Sequence, residues 1–280
     1  MIALPHLFLT FLKDARHFQI LFLSSFLCYG LLELQWGQYS AHYFWTISSA
    51  LAFSLVNHFV NAPKQQWKSN LISALGICLL LHSNNPLLSV LAVGLAIYSK
   101  QLFKYKGRHI FNPANFGIIA VIFLSGEAWI SPGQWGNSLI LVVFFSVAAL
   151  MVLLKVGRLD ISIYFLLSLA LLEGAYKMLY LGWEGDVLLH YLSNGSLLLF
   201  TFFMITDPKT APQAPKARLI WALLLALGVF IVARTTYLAT APMWVLFWLS
   251  PLSILFRKYF PAIEFSWQKS ISSTNQMIKL

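Results

Sequence analysis

Two polar, proline-bearing breaks interrupt an otherwise apolar sequence, and they carry the residue types best suited to bind a ligand. The first reads RHIFNPANFG over residues 108–117, and the second reads FMITDPKT over residues 203–210. A bilayer tolerates unwound backbone and polar side chains only where protein buries them or where they line a wet cavity. The two breaks therefore indicate a site, and the rest of the chain is its scaffold.

The first break has the signals of a helix start. Asn112 can cap a helix, Pro113 suits the first helical position, and Asn115 and Gly117 keep the first turn polar and slim. The free N–H groups of such a terminus, with Arg108 nearby, favour an anion or a phosphate. The alternative interpretation is an ordinary capped helix that begins at the membrane surface.

The second break places Asp207 beside Thr206 at the predicted membrane edge. Asp207 can cap a helix, pair with Lys209 or Arg218, or contact a ligand. Upstream, small residues that include Ser196 permit close helix packing, which is the simpler explanation for them. We expect four residues of the two breaks to converge on one site: Asn112, Asn115, Thr206 and Asp207.

Other titratable residues give weaker signals. Glu173 and Lys177 are four residues apart, the favourable order for a helical ion pair, and we expect a structural pair. If Glu173 instead faces a cavity, it is a candidate for a cation or proton pathway. The histidines have no metal-ligand spacing, the two cysteines form no CxxC motif, and no catalytic residue is identified, so no metal site is predicted.

The composition indicates an all-α polytopic membrane protein. Of the 280 residues, 59% are hydrophobic and 10% are charged, and the mean hydropathy is +0.73. Stretches near the roughly 20 residues that span a bilayer predict about ten transmembrane helices. Their expected positions are 18–35, 42–60, 70–83, 86–102, 113–126, 135–156, 160–180, 186–206, 217–234 and 239–256.

The distribution of Lys and Arg sets the expected orientation. With ten crossings, only Lys177 and Arg234 fall on one side, together with Glu127 and Glu184. The other, cytoplasmic side receives Lys13, Arg16, Lys64, Lys68, Lys100, Lys104, Lys106, Arg108, Lys155, Arg158, Lys209, Lys216, Arg218, Arg257 and Lys258. The net charge of +10 thus reflects topology and anionic lipid rather than nucleic acid, which is not an expected partner.

The domain organisation follows from this count. We expect a cytoplasmic N-terminal segment over residues 1–17, one transmembrane domain over residues 18–256, and a cytoplasmic tail over residues 257–280. No cleaved signal peptide is predicted at the N-terminus. Five plus five helices with interrupted members suit an inverted repeat, although the sequence shows no clear internal repeat.

The two breaks together resemble the family that contains the D subunit of the Rnf electron-transport complex and the B subunit of the sodium-translocating NADH:quinone oxidoreductase. The resemblance rests on FNPA with Gly117, and on the run from Gly195 and Ser196 to Thr206, Asp207 and Pro208. It implies a ten-helix inverted repeat related to urea transporters. It also implies flavin-mediated electron transfer coupled to ion movement, with redox partner subunits in the cell (inner) membrane.

One departure from that family concerns its flavin. Those subunits carry flavin mononucleotide on a threonine beyond the NPA helix, whereas residues 125–136 here read SGEAWISPGQWG, without a threonine. Covalent FMN is therefore not expected, and a non-covalent flavin (FMN or riboflavin) or a quinone-like ligand is the expectation. The residues implied to hold it are Arg108, Asn112, Pro113, Asn115, Gly117, Ser196, Thr206 and Asp207. The alternative is a small-solute or ion permease of the same fold without redox activity.

Overall fold

The computed structural model describes residues 14–60, 66–131, 135, 139–263 and 265. Residues 1–13 of the predicted N-terminal segment, Lys64, and most of the predicted tail lie outside this part. The first half of the described chain contains five α-helices: α1 (Ala15–Leu32), α2 (Ser40–Val60), α3 (Gln66–Leu80), α4 (Pro86–Leu102) and α5 (Pro113–Ser125). A short 3-10 helix over Trp36–Tyr39 joins α1 to α2.

The second half contains seven further α-helices, two of which continue into π-helical turns. They are α6 (Leu139–Val156), α7 (Leu159–Gly174, continued by Ala175–Tyr180), α8 (Gly185–Leu192), α9 (Gly195–Leu199, continued by Phe200–Met204), α10 (Pro215–Thr236), α11 (Ala241–Leu249) and α12 (Leu252–Tyr259). Each of the ten apolar stretches in the sequence thus has a helical counterpart. The all-α membrane class is confirmed.

Two predicted helices are broken in the structure. The stretch 186–206 bends by 53° between α8 and the helix that follows, because Asn194 ends one helix and starts the next. Its Oδ1 accepts hydrogen bonds from the backbone N–H groups of Ser196 and Leu197, which begins a new helix in a new direction. The stretch 239–256 divides at Ser250 and Pro251, between α11 and α12.

Fewer helices than ten satisfy a length and hydropathy criterion for crossing a membrane. In the described part, three do so: Ala15–Leu32, Leu159–Tyr180 and Pro215–Thr236. The bent pair Gly185–Leu192 and Gly195–Met204 makes a fourth, and four more apolar helices are 10–17 residues long. Ten crossings and the inverted repeat therefore stay predictions.

Short strands lie between helices in the first half. Strand β1 (Leu81–Ser83) pairs antiparallel with β4 (Ala128–Ile130), and β2 (Lys104–Tyr105) pairs with β3 (Arg108–His109). We call the end of the bundle that holds residues 103–112 and 205–214 the basic face. We call the end that holds residues 126–131, 181–194 and 237–240 the opposite face.

Aromatic residues fill the centre between the halves. Phe26 of α1 stacks on Phe145 of α6 with 3.9 Å between ring centroids, and both are fully buried. Trp135 packs edge-on against both Phe145 and Trp36. This packing fixes α1 and α6 against each other and so positions the loops at both faces.

Candidate functional site

The two breaks meet at the basic face, where Arg108 joins them. Arg108 is buried, and its guanidinium donates to the backbone carbonyls of Pro208, Lys209 and Ala211. A planar guanidinium presents several N–H groups in a fixed fork, which suits a cluster of carbonyls. Arg108 thus fastens the second break rather than standing free to receive an anion.

Asn112 makes a second connection between the breaks. Its Oδ1 accepts the backbone N–H of Asn115 at 3.2 Å, which is the predicted helix cap, and Pro113 occupies the first turn of α5. Its Nδ2 donates to the carbonyl of Met204 at 3.2 Å. One amide therefore starts α5 and also holds the end of the π-helical turn after α9.

The turn at Asp207 is stabilised locally. Its Oδ1 accepts the N–H of Lys209 at 3.0 Å, and its carbonyl accepts the N–H of Ala211 at 2.9 Å. Thr206 donates to the carbonyl of Phe202. Burial raises the pKa of the Asp207 carboxyl above its ordinary value, against the opposing effects of the Lys209 N–H and of Arg108. Asp207 does not pair with Arg218, which binds Asp160 instead.

A small cavity of about 90 Å³ lies at this junction. Four of the predicted site residues line it: Asn112, Pro113, Thr206 and Asp207. Residues of α1, α3 and α6 close the other walls. The structure therefore brings both breaks to one cavity.

Several basic side chains surround the cavity. Arg16 and Lys68 both bind Asp14, and they hold the pKa of that carboxyl well below its ordinary value. The buried ammonium of Lys100 donates to the Ser69 carbonyl at 2.9 Å. Burial and nearby lysines lower the pKa of His109 to about 3, so this histidine is neutral near pH 7.

Two other predicted site residues have packing positions. Asn115 is 1% exposed but does not line the cavity, and its Oδ1 has no hydrogen-bond partner among the described residues. Gly117 packs on α4, where a Cβ atom would come within 2.3 Å of the Ala92 carbonyl oxygen. A side chain at residue 117 would therefore force α4 and α5 apart.

Ser196 is not part of this junction. It lies near the opposite face, in a second cavity of about 260 Å³ that Lys177 and Tyr191 also line. The structure thus separates Ser196 from the residues of the two breaks that the sequence grouped with it. Its ligand role stays a prediction, but at a different place.

Glu173 is fully buried beside this second cavity and contacts two cations. Its Oε2 lies 3.3 Å from the ammonium of Lys177 and also binds the guanidinium of Arg234. The expected pair with Lys177 is present, with Arg234 as an addition that sequence spacing did not reveal. Both cations bind Oε2, whereas Oε1 has no hydrogen-bond partner among the described residues, and the role of Glu173 in a cation pathway stays a prediction.

Sequence reasoning also missed how arginines hold the basic face. Arg257 of α12 donates to the carbonyls of His109 at 2.7 Å and of Tyr105 at 3.2 Å. Arg218 donates to the carbonyl of Gln213 at 2.7 Å as well as to Asp160. The sequence indicated only that these charges share a side of the membrane. The backbone carbonyls of the two breaks lie outside helices and must accept hydrogen bonds from other groups. This requirement was the signal in the sequence that arginines would bind them.

The fold and the junction define an all-α membrane protein in which two polar breaks are fastened together at one end of the helices. Residues 123–248 match the model of the NQR2, RnfD, RnfE family. This match confirms, over residues 123–248, the resemblance to the Rnf/Nqr family that the motifs indicated. No curated protein matches the chain.

The matched range includes the second break and ends before α12. It begins after the first break, which contacts it through Arg108 and Asn112 and through the rings of Phe111 and Phe116, which pack on Phe247.

The dimensions of the junction bear on the flavin that the family resemblance implies. Pockets for ligands of drug size are roughly 300–1,000 Å³ in volume, whereas the junction cavity is about 90 Å³. The residues at the two breaks therefore do not fit a flavin ring system.

Proposed function

We propose that this protein serves electron transfer in the cell (inner) membrane together with redox partner subunits. The observation that carries this proposal is the fastening of the two breaks. The motif in the family-matched range and the NPA motif outside it form one structural unit, through Arg108 and Asn112. The junction holds the two halves of the bundle against each other. Any flavin or quinone-like ligand is bound non-covalently, outside the 90 Å³ cavity.

The visible spectrum of the purified protein tests this proposal. We expect flavin absorbance bands that bleach on reduction with dithionite, and a flavin that is released when the protein is denatured. A fluorescent band that stays on the polypeptide in a denaturing gel would contradict non-covalent binding. A protein without a chromophore, which also fails to accept electrons from reduced quinone in vesicles, would overturn the proposal.

A specific observation favours a second function, which is permeation of a small solute or an ion. The junction cavity, at about 90 Å³, is large enough to hold water. Asn112, Thr206 and Asp207 give it a polar lining, as a pathway for a small polar solute requires. Solute or cation flux into proteoliposomes that lack any electron donor would support this function over electron transfer.

The orientation in the membrane is part of the proposal. We infer that the basic face is cytoplasmic, because it carries most of the Lys and Arg residues, and that Glu127 faces the other side. Single cysteines at Lys104 and Glu127 test this with a membrane-impermeant thiol reagent. Labelling of both from the same side would contradict the proposed orientation.

A further inference from the structure

We propose that the cavity at the opposite face binds a small organic anion, a carboxylate on an apolar body. The cavity measures about 260 Å³ and lies between α7, α8, α9 and the start of α11. Its polar wall includes Lys177, Tyr191 and Ser196, and its apolar wall includes Leu197 and Phe200. This site is independent of the junction at the basic face.

The net positive charge of the side chains beside the cavity favours a bound anion. One carboxylate, Glu173, contacts two cations, Lys177 and Arg234, so the cluster carries one excess positive charge. The side chains of Glu173 and Lys177 are 0% and 8% exposed, whereas that of Arg234 is 31% exposed. An uncompensated buried charge is expensive, and a bound anion beside Lys177 offsets that cost.

Two acidic residues at the start of α8 do not remove this excess. Glu184 and Asp186 are exposed, and neither lines the cavity. Water and salt screen exposed charges strongly, whereas they screen a buried cluster much less. The local excess at Lys177 therefore persists.

Ser196 supplies an independent indication of a ligand. It is 9% exposed, it lines the cavity, and its Oγ has no hydrogen-bond partner among the described residues. Buried hydroxyl groups are rarely left unpaired. A carboxylate oxygen that accepts from Ser196 would satisfy this hydroxyl, while Lys177 neutralises the charge.

The remaining wall of the cavity is apolar and favours a ligand with an apolar body. Besides Leu197 and Phe200, apolar side chains from three other elements contribute to it: Ile130, Val187 and Met243. An inorganic anion would leave these surfaces against water, whereas a ring or a short branched chain covers them. Lys177 also lies over the ring of Tyr191 at 3.9 Å, which fixes the position of the ammonium.

Both long elements that bring residues to this cavity depart from α-helical geometry. Lys177 lies in the π-helical turn Ala175–Tyr180, and Phe200 begins the turn Phe200–Met204. Such turns shift the direction of the side chains that follow and are frequent at functional sites.

Equilibrium binding to the detergent-purified full chain tests the proposal, with benzoate as a soluble probe and decanoate as a lipid-like probe. Benzamide is the neutral match of benzoate. We expect saturable binding of a carboxylate at least about tenfold tighter than binding of benzamide, as for a charge-assisted hydrogen bond. Preference for decanoate over benzoate would identify a membrane lipid as the source of the anion.

Matched variants locate the site. Ser196→Ala should weaken binding several-fold without loss of thermal stability, because its hydroxyl bonds no described group. Ser168→Ala is the control, since Ser168 is partly exposed, does not line the cavity, and donates to the Tyr164 carbonyl. Lys177→Met should weaken binding by tenfold or more, while Glu173 keeps Arg234 as its partner. Equal binding of benzamide, equal effects of the two serine variants, or no binding of either carboxylate would overturn the proposal.

Discussion

Two asparagine-capped helices begin with nearly the same backbone but meet different surroundings. The cap residue Asn112 has φ −63° and ψ 124°, and Asn194 has φ −62° and ψ 125°. At Asn112, the polar groups of the break find backbone partners through Asn112 and Arg108. After Asn194, Ser196 keeps an unpartnered hydroxyl in a larger cavity.

The difference distinguishes polar groups that hold parts of the fold together from polar groups that are available to bind a ligand. A polar side chain that is satisfied by carbonyls of its own chain stabilises the fold and has little left to offer a ligand. A buried group that lacks such a partner and also lines a cavity, as Ser196 does, is a candidate for contact with a ligand. The following predictions test this division between the basic face and the opposite face.

The largest effect should come from the ion cluster at the opposite face. Glu173→Gln leaves Lys177 and Arg234 without their shared carboxylate, and we expect a loss of about 3–5 kcal/mol in unfolding free energy. Asp160→Asn, which breaks the more exposed pair with Arg218, is the control and should cost about 1 kcal/mol or less. Thermal unfolding in detergent measures both. Similar losses for the two variants would contradict the assignment of Glu173 as a buried centre of charge.

A smaller effect is expected from the helix contact that supports the first break. Gly117→Ala places a Cβ atom 2.3 Å from the Ala92 carbonyl oxygen, which should cost about 1–3 kcal/mol through displacement of α4. Gly76→Ala is the match, because its Cβ would lie 3.4 Å from that of Ala114. That variant should be neutral or stabilising, since alanine favours a helix over glycine. If both variants unfold at the same temperature, Gly117 is not a packing residue.

The third effect depends on pH. The pKa of His109 is lowered to about 3, so the unfolded chain binds a proton at a higher pH than the folded chain does. Stability from this group is present above about pH 6.5 and declines as the pH falls toward 3. Linkage gives a loss of up to about 2 kcal/mol between pH 7 and pH 5.

His109→Gln should flatten this pH dependence, which thermal unfolding at a series of pH values measures. His58→Gln is the control, because His58 is exposed. An unchanged slope in His109→Gln would show that other groups control the acid sensitivity of the basic face.

The smallest effect is expected at Asp207. Its carboxylate accepts a local N–H in a turn, so Asp207→Asn should cost about 1 kcal/mol, as at a helix cap. Electron transfer or solute flux by the folded fraction should persist if the junction only fastens the breaks. A tenfold loss of either activity at unchanged stability would instead make Asp207 a ligand-binding residue and would break the division between the two faces.

Much of the fold followed from local sequence signals. The predicted helix 18–35 is observed at Ala15–Leu32, and the predicted 86–102 coincides with Pro86–Leu102. Asn112 and Pro113 marked the start of α5 correctly. The bend at Asn194 was not predicted, although residues 193–196 read SNGS and interrupt the apolar stretch there.

The sequence by itself determined the membrane class, the positions of the helices and the two breaks. These features depend on hydropathy and on caps that act within a few residues. Only the tertiary structure decided which distant residues contact each other. Arg108 binds carbonyls about a hundred residues away, Arg234 joins Glu173 from another helix, and Ser196 lies at the face opposite to Asp207. Helix packing sets such distances and the volumes of the cavities, and no local pattern in the sequence encodes them.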